Sequence, residues 1–164
     1  SIFANEEGVR IIDPEFAFYG PMGYDIGNVI GNLFFSWANK AFTGAGAEQT
    51  VAVRSLIADL CDKTAEKLAE KYDEIVRFPP YRTEGFRKAY LDGIMADSYG
   101  YAGTEIIRRV VGDSKVMEVT SVTDPDQRIP MERALIKMGI FLIKHREQGL
   151  TGQTVARAFD MILA

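Results

Sequence analysis

Apolar residues recur at intervals of three and four along most of this chain, which is the spacing of an α-helix with one buried face. The first such run begins near Asp25 and ends before Gly44. A second helix is predicted from Gly46 to Tyr72, and a proline pair at 79–80 breaks the pattern after it. The positions expected on the buried faces are Ile26, Val29, Ile30, Leu33, Phe34 and Trp37 in the first helix, and Val53, Leu56, Ile57, Leu60, Thr64 and Leu68 in the second.

The helical pattern resumes near Thr83 and carries apolar residues as far as Val110. Gly93, Gly100 and Gly103 predict a kink or a split in this region, because a glycine inside a helix costs about 1 kcal/mol relative to alanine.

The remainder of the chain is predicted to hold a loop and two more helices. Residues 112–129 are expected to form the loop, with Asp124-Pro125-Asp126 as turn residues inside it. Pro130 suits the first turn of the next helix, where its missing N–H is harmless. Thr151 suits the N-cap of the last helix.

The first residues have a different pattern. Residues 1–4 and 9–12 are short apolar or β-branched runs, and the four residues between them end in Gly8, which is typical of a β-hairpin. The fold class predicted from these elements is mainly α with a small N-terminal β-hairpin. We expect a single domain over residues 1–164, with the hairpin and a candidate metal-binding segment in residues 1–16 and a helical region in residues 23–164.

The amino-acid composition limits the kinds of partner that this chain is expected to bind. The chain has 164 residues, of which 47% are hydrophobic and 26% charged, with a net charge of −4. Nucleic-acid-binding domains usually carry a basic face, so nucleic acid is not an expected partner. No stretch reaches the ~20 apolar residues that a membrane helix needs, so no membrane partner is expected either. Cys61 is the single cysteine, which excludes an internal disulfide and fits a cytoplasmic location.

Two carboxylates, Asp13 and Glu15, lie two residues apart just after the second predicted strand. Alternate side chains of extended backbone point the same way, so both could bind one cation, and carboxylate oxygens suit Mg²⁺. Pro14 between them fixes φ. On spacing alone, a simple turn after a strand is the more common explanation of Asp-Pro-Glu.

The longer string over residues 12–27 changes that balance. It reads Ile-Asp-Pro-Glu-Phe-Ala-Phe-Tyr-Gly-Pro-Met-Gly-Tyr-Asp-Ile-Gly. This string resembles the signature that follows the catalytic loop in 5-methylthioribose kinases, which are similar to protein kinases and aminoglycoside phosphotransferases. A looser resemblance continues through the helical remainder, including residues 103–109. The resemblance implies the C-terminal lobe of a protein-kinase-like fold.

The resemblance also implies roles for particular residues. Asp13 takes the place of the metal-binding aspartate, with Mg²⁺ bridging the phosphates of ATP, and Glu15 that of a second metal ligand. Ser1 takes a position where related kinases often have a metal-binding Asn, although serine is a weaker ligand. Asp25 resembles a buried aspartate that supports the catalytic loop, and a helix N-cap is its alternative role.

Arg108 and Arg109 match the paired arginines that this family places near the sugar and the transferred phosphate. A guanidinium group suits anionic oxygens, whereas the alternative for the pair is a solvated helix face. Neighbouring residues of a helix diverge by roughly 100°, so both can reach one site only near a helix end or a distortion.

The whole enzyme implied by the resemblance transfers the γ-phosphate of ATP to the 1-hydroxyl of 5-methylthioribose in methionine salvage, and it is a homodimer. Its catalytic Asp is expected upstream of Ser1, as is the nucleotide-binding lobe, so no catalytic residue is expected within this chain. We therefore expect the chain to be a fragment that is inactive alone. Two alternatives stay open: another kinase of the same group, acting on choline, homoserine or an aminoglycoside, and a non-catalytic helical binding or dimerisation module.

Overall fold

A computed structural model describes residues 2–12, 17–44 and 46–164. The described part is mainly helical, with a small β-hairpin at the start, as predicted. The elements in chain order are β1 (Ile2–Asn5), β2 (Gly8–Ile11), α1 (Gly23–Thr43), α2 (Ala47–Ile75), a 3₁₀ turn (Pro79–Arg82), α3 (Glu84–Val111), α4 (Met117–Thr120), α5 (Pro125–His145) and α6 (Gly152–Leu163).

The two strands form an antiparallel hairpin in which Asn5 pairs with Gly8 and Ile2 pairs with Ile11. The Asn5 side-chain oxygen accepts hydrogen bonds from the backbone N–H groups of Glu7 and Gly8, at 3.0 and 3.1 Å. Gly8 has a φ of 140°, a value that residues with a side chain rarely adopt. These features explain why the polar tetrapeptide between the runs closes into a turn.

The core lies around α1 and α3, whose backbones touch along a face of glycines. A Cβ added to Gly27 would lie 2.4 Å from the Ser98 backbone oxygen, and one added to Gly31 would lie 3.1 Å from the Ala102 oxygen. Later residues of α1 thus contact later residues of α3, so the two helices run parallel here. The close approach leaves no room for a side chain at Gly27.

The predicted buried face of α1 is confirmed at its centre. Ile30, Phe34 and Trp37 are fully buried. Phe159 of α6 packs edge-on against Phe34 and Trp37, with ring centroids 5.1 and 4.9 Å apart. Such aromatic packing fastens the last helix to the first.

The predicted buried face of α2 is confirmed in part, since Ile57 is buried and Val53 and Leu60 pack against the core. The helix is longer than predicted and ends at Ile75 rather than Tyr72. Leu56 is 52% exposed, whereas Ala58 and Cys61 are buried beside Ile57. Arg54 forms a bidentate ion pair with Asp160 of α6, with Nη2 2.8 Å from Oδ2.

The predicted split of α3 is wrong, because one helix runs from Glu84 to Val111 through all three glycines. Gly103 faces Gly139 of α5, and a Cβ added to Gly103 would lie 2.5 Å from the Gly139 oxygen. The glycine therefore permits a close crossing with α5, and this packing outweighs its low helix propensity.

The start of α5 also corrects the prediction. The helix begins at Pro125 rather than Pro130, and the segment expected to be a loop contains the short helix α4. Asp124 is the N-cap, since its side chain accepts a hydrogen bond from Asp126 N at 3.0 Å. The residues assigned to a turn are thus a helix start, and Pro130 lies inside the helix. The Thr151 cap of α6 is confirmed by a 3.2 Å bond from Thr154 N.

None of the helices in the described ranges combines the length and apolar character that crossing a bilayer requires.

Candidate substrate-binding site

The two arginines singled out in the sequence lie together in the last turn of α3. Both bind Glu105, one helical turn earlier, by i,i+3 and i,i+4 ion pairs. A helix end is where neighbouring side chains were expected to be able to converge, and the convergence occurs on this carboxylate.

Each carboxylate oxygen of Glu105 accepts hydrogen bonds from one of the two arginines. Arg108 donates from Nε and Nη2 to Oε2, at 2.9 and 2.5 Å. Arg109 donates from Nε to Oε1 at 2.7 Å. The single carboxylate therefore fixes the position of both guanidinium groups relative to each other.

Burial distinguishes Glu105 from the two arginines. The Glu105 side chain is 5% exposed, whereas those of Arg108 and Arg109 are 53% and 29% exposed. Gly31 of α1 lies over the Glu105 stem, and a Cβ added there would come within 3.4 Å of Glu105 Cβ and Cγ. The negative charge thus lies beneath α1, and two positive charges lie outside it.

The electrostatics follow from that arrangement. Burial would raise the pKa of Glu105, but the hydrogen bonds and charges of Arg109 and Arg108 outweigh it, so the pKa lies below its ordinary value of 4.5. Glu105 is therefore ionised at neutral pH, and the three groups carry a net charge of about +1. A surplus of positive charge at the exposed end suits an anionic ligand.

The end of α3 is fastened to the segment that follows it. Gly112 N donates to the Arg108 carbonyl at 2.9 Å. Arg109 Nη1 donates to the Ser114 carbonyl at 3.2 Å, and Lys115 Nζ bonds to the Val110 carbonyl. These bonds satisfy carbonyl groups near the helix end, and the positive side chains also complement the helix dipole.

Asp25 lies apart from the arginine pair. It is an exposed residue of the first turn of α1, whose N-cap is Met22, so Asp25 is not the N-cap. From the glycine contacts, Asp25 is level with about Ser98 of α3. With a rise of about 1.5 Å per residue, Asp25 and Arg108 are separated by roughly 15 Å along the helix axis. Its support of a catalytic loop stays a prediction.

The predicted metal ligands Asp13, Glu15 and Ser1 lie outside the described residues. Within residues 2–12, 17–44 and 46–164, no three His, Cys, Asp or Glu side chains come together as a metal site. The metal-binding roles of those three residues therefore stay predictions.

Sequence reasoning assigned no role to Glu105. A Glu followed by Arg at i+3 and i+4 is a recognisable signal for ion pairs on a helix, but such pairs usually lie on a solvated face. The burial of Glu105 depends on Gly31, which is 74 positions earlier in the chain. No pattern within α3 alone reveals that contact.

A small hairpin followed by a helical region is consistent with the mainly α C-terminal lobe of a protein-kinase-like phosphotransferase. Comparison with curated proteins points to one group of such kinases. The chain is 36% identical to a methylthioribose kinase of a Geobacillus species over 151 residues, which is 90% of this chain and 36% of the relative. It is 35% identical to the methylthioribose kinase of Erwinia tasmaniensis over 150 residues, 87% of this chain and 37% of the relative.

The match with the methylthioribose kinase of Exiguobacterium sibiricum is 35% identical over 161 residues, 98% of this chain and 40% of the relative. No family model matches the chain. The predicted resemblance to methylthioribose kinases is confirmed by these relatives and covers most of the chain. The chain spans well under half the length of each of them.

Proposed function

We propose that this chain is the helical C-terminal lobe of an ATP-dependent kinase that phosphorylates the 1-hydroxyl of 5-methylthioribose, a step of methionine salvage. The observation that carries the proposal is the 35 to 36% identity to three methylthioribose kinases over 87 to 98% of the chain. The arginine pair supports it, because it adds a positively charged site suited to a phosphoryl group.

In this proposal Arg108 and Arg109 bind the oxygens of the transferred phosphoryl group or its acceptor. Phosphoryl transfer depends mainly on positioning and on stabilising charge spread over the oxygens, rather than on covalent chemistry by the protein. Guanidinium groups already fixed in place stabilise that charge without a further reorganisation cost.

Asp13 and Glu15 are proposed to hold Mg²⁺, since two carboxylates provide the hard oxygen ligands that this ion prefers. The bound ion would neutralise negative charge on the phosphates of ATP. Ser1 is a weaker third candidate. The role proposed for Asp25 is to support the catalytic loop.

The chain spans only 36 to 40% of the relatives described above. We therefore propose that the nucleotide-binding lobe and the catalytic base are supplied by the rest of a longer protein, and that the 164-residue chain does not turn over alone. A homodimeric assembly and a cytoplasmic location are part of the same proposal. Light scattering on the whole protein tests the assembly.

An acceptor panel tests the substrate. The whole protein is given ATP and Mg²⁺ with 5-methylthioribose, choline, homoserine or an aminoglycoside, and ADP release is measured. We expect turnover with methylthioribose and none with the other three. Turnover of another alcohol would support a kinase activity and refute methylthioribose as the substrate. No ADP release with any acceptor would favour a non-catalytic binding module.

Asp13→Asn tests the metal site in the same assay. Because the variant loses a charged ligand, we expect its activity to fall by about 100-fold or more and its requirement for Mg²⁺ to rise. The control is an unchanged melting temperature, which shows that the variant is folded. Wild-type activity at wild-type Mg²⁺ concentrations would refute the role of Asp13.

A further inference from the structure

We propose that Glu105 is a positioning residue that holds the guanidinium groups of Arg108 and Arg109 side by side, so that both face one phosphoryl-bearing ligand. This inference rests on the proposed function, because it assigns the arginine pair to that ligand. Glu105 itself does not touch the ligand in this proposal.

Glu105 brings the two guanidinium groups together at the end of α3. Adjacent residues of a helix project roughly 100° apart, so Arg108 and Arg109 would diverge without a common partner. Each arginine instead reaches back to a different oxygen of Glu105, at 2.5 to 2.9 Å. Both guanidinium groups are thereby held near one point at the end of α3.

Each guanidinium group keeps donors that Glu105 does not use. An arginine has five N–H groups. The hydrogen bonds among the described residues use Nε and Nη2 of Arg108, and Nε and Nη1 of Arg109. Within that part of the chain, Nη1 of Arg108 and Nη2 of Arg109 have no partner. Glu105 thus occupies the Nε side of both groups and leaves one terminal nitrogen of each for a ligand.

The Glu105 carboxylate is held in place and cannot move with the two arginines. Glu105 is buried beneath Gly31, and α1 and α3 are in backbone contact at this level. A buried group whose stem is packed has little rotamer freedom, whereas the partly exposed arginines would otherwise sample more rotamers. The fixed carboxylate therefore lowers the entropy cost of arranging the arginines around a ligand.

The kinetic test uses Glu105→Gln in the whole protein. Glutamine keeps the size of the side chain, but its amide NH₂ cannot accept from a guanidinium group. We expect kcat/KM for phosphoryl transfer to fall about 10- to 100-fold, the range of a small misplacement of catalytic groups. The matched control is Asp160→Asn, which removes the negative charge and one acceptor oxygen of the Arg54 ion pair between α2 and α6. The control should lose less than about 3-fold.

A double-mutant cycle separates positioning from simple structural support. If Glu105 acts through the arginines, Glu105→Gln costs less in an Arg109→Lys background than in the wild type, because only Arg108 is left to position, so the two losses do not multiply. Losses that multiply, or a Glu105→Gln effect equal to that of Asp160→Asn, would overturn the inference.

A readout without turnover keeps this inference distinct from the proposed substrate. In spectra of protein labelled with ¹⁵N-arginine, we expect slow hydrogen exchange at Nε of Arg108 and Arg109, and fast exchange in Glu105→Gln. Exchange that is unaffected by Glu105→Gln would refute the positioning role whatever the acceptor. If exchange is slow but the protein turns over only another alcohol, the positioning role stands and methylthioribose is refuted as the substrate. The double-mutant cycle is then run with that alcohol.

Discussion

The ion pairs between Glu105 and the two arginines have two effects. They position the arginines, and they permit the burial of a carboxylate. Removing a charged group from water is costly unless partners compensate it. Arg108 and Arg109 compensate it here while remaining partly in solvent themselves. The residue therefore links the stability of the end of α3 to the arrangement of the site.

Acid titration reveals the stability contribution of Glu105. Its pKa in the folded chain lies below the ordinary 4.5, so the unfolded chain takes up the proton first as the pH falls. The contribution is present above pH 4.5 and is lost as the pH falls through the lower, folded pKa. We expect Glu105→Gln to lower the free energy of unfolding by about 1–3 kcal/mol at pH 7. The difference between wild type and variant should shrink below pH 4.5.

Urea unfolding at a series of pH values measures this difference. Glu147→Gln is the control, because the Glu147 side chain is 77% exposed and should change stability very little. A wild-type advantage over Glu105→Gln that grows as the pH falls would contradict the assigned ion pairs.

At the scale of single residues, the sequence predicted the arginine pair but not its partner. The pair was recognised from residue type and from the resemblance of residues 103–109. The burial of Glu105 results from the approach of Gly31 on another helix, and tertiary contacts of this kind leave no trace in the local pattern.

At the scale of elements, the glycines of α1 determine how closely it approaches α3. Gly23, Gly27 and Gly31 repeat every four residues and face the α3 backbone. Their repeat allows contact over two turns of helix, and this contact places Glu105 beneath α1. Gly93 on α3 has no neighbour within 4 Å of an added Cβ, so it serves no such packing role.

Two alanine substitutions test this difference. Gly27→Ala would bring its Cβ to 2.4 Å from the Ser98 oxygen, which is backbone and cannot move aside alone. We expect a loss of about 1–3 kcal/mol in the free energy of unfolding. Gly93→Ala is the matched control and should gain about 0.5–1 kcal/mol from helix propensity alone. Thermal or urea unfolding measures both, and equal effects of the two substitutions would refute the close contact.

Periodicity predicted elements well where one apolar face dominates. The spacing of Ile30, Phe34 and Trp37 predicted both α1 and its buried face. In α2 the spacing predicted both Leu56 and its neighbour Ile57 on the buried face, whereas only Ile57 is buried. At α5 the tripeptide 124–126 fits both a turn and a capped helix start, and only the Asp124 hydrogen bond distinguishes them.

At the scale of the whole molecule, the segment before α1 presents apolar side chains to solvent. Phe3, Val9 and Ile11 of the hairpin are 63%, 67% and 81% exposed. Tyr19 is also fully exposed. Large exposed apolar surfaces favour association, which agrees with the proposal that this chain is one lobe of a longer kinase.

The most direct test of the proposed function is the formation of methylthioribose 1-phosphate from ATP and 5-methylthioribose, followed by phosphorus NMR. Two samples are compared: the whole protein and the 164-residue chain alone. We expect product from the whole protein and none from the chain. Product from the chain alone would refute the proposal that the nucleotide-binding lobe and the catalytic base lie in the rest of a longer protein. A whole protein that forms no methylthioribose 1-phosphate would contradict the proposed function itself.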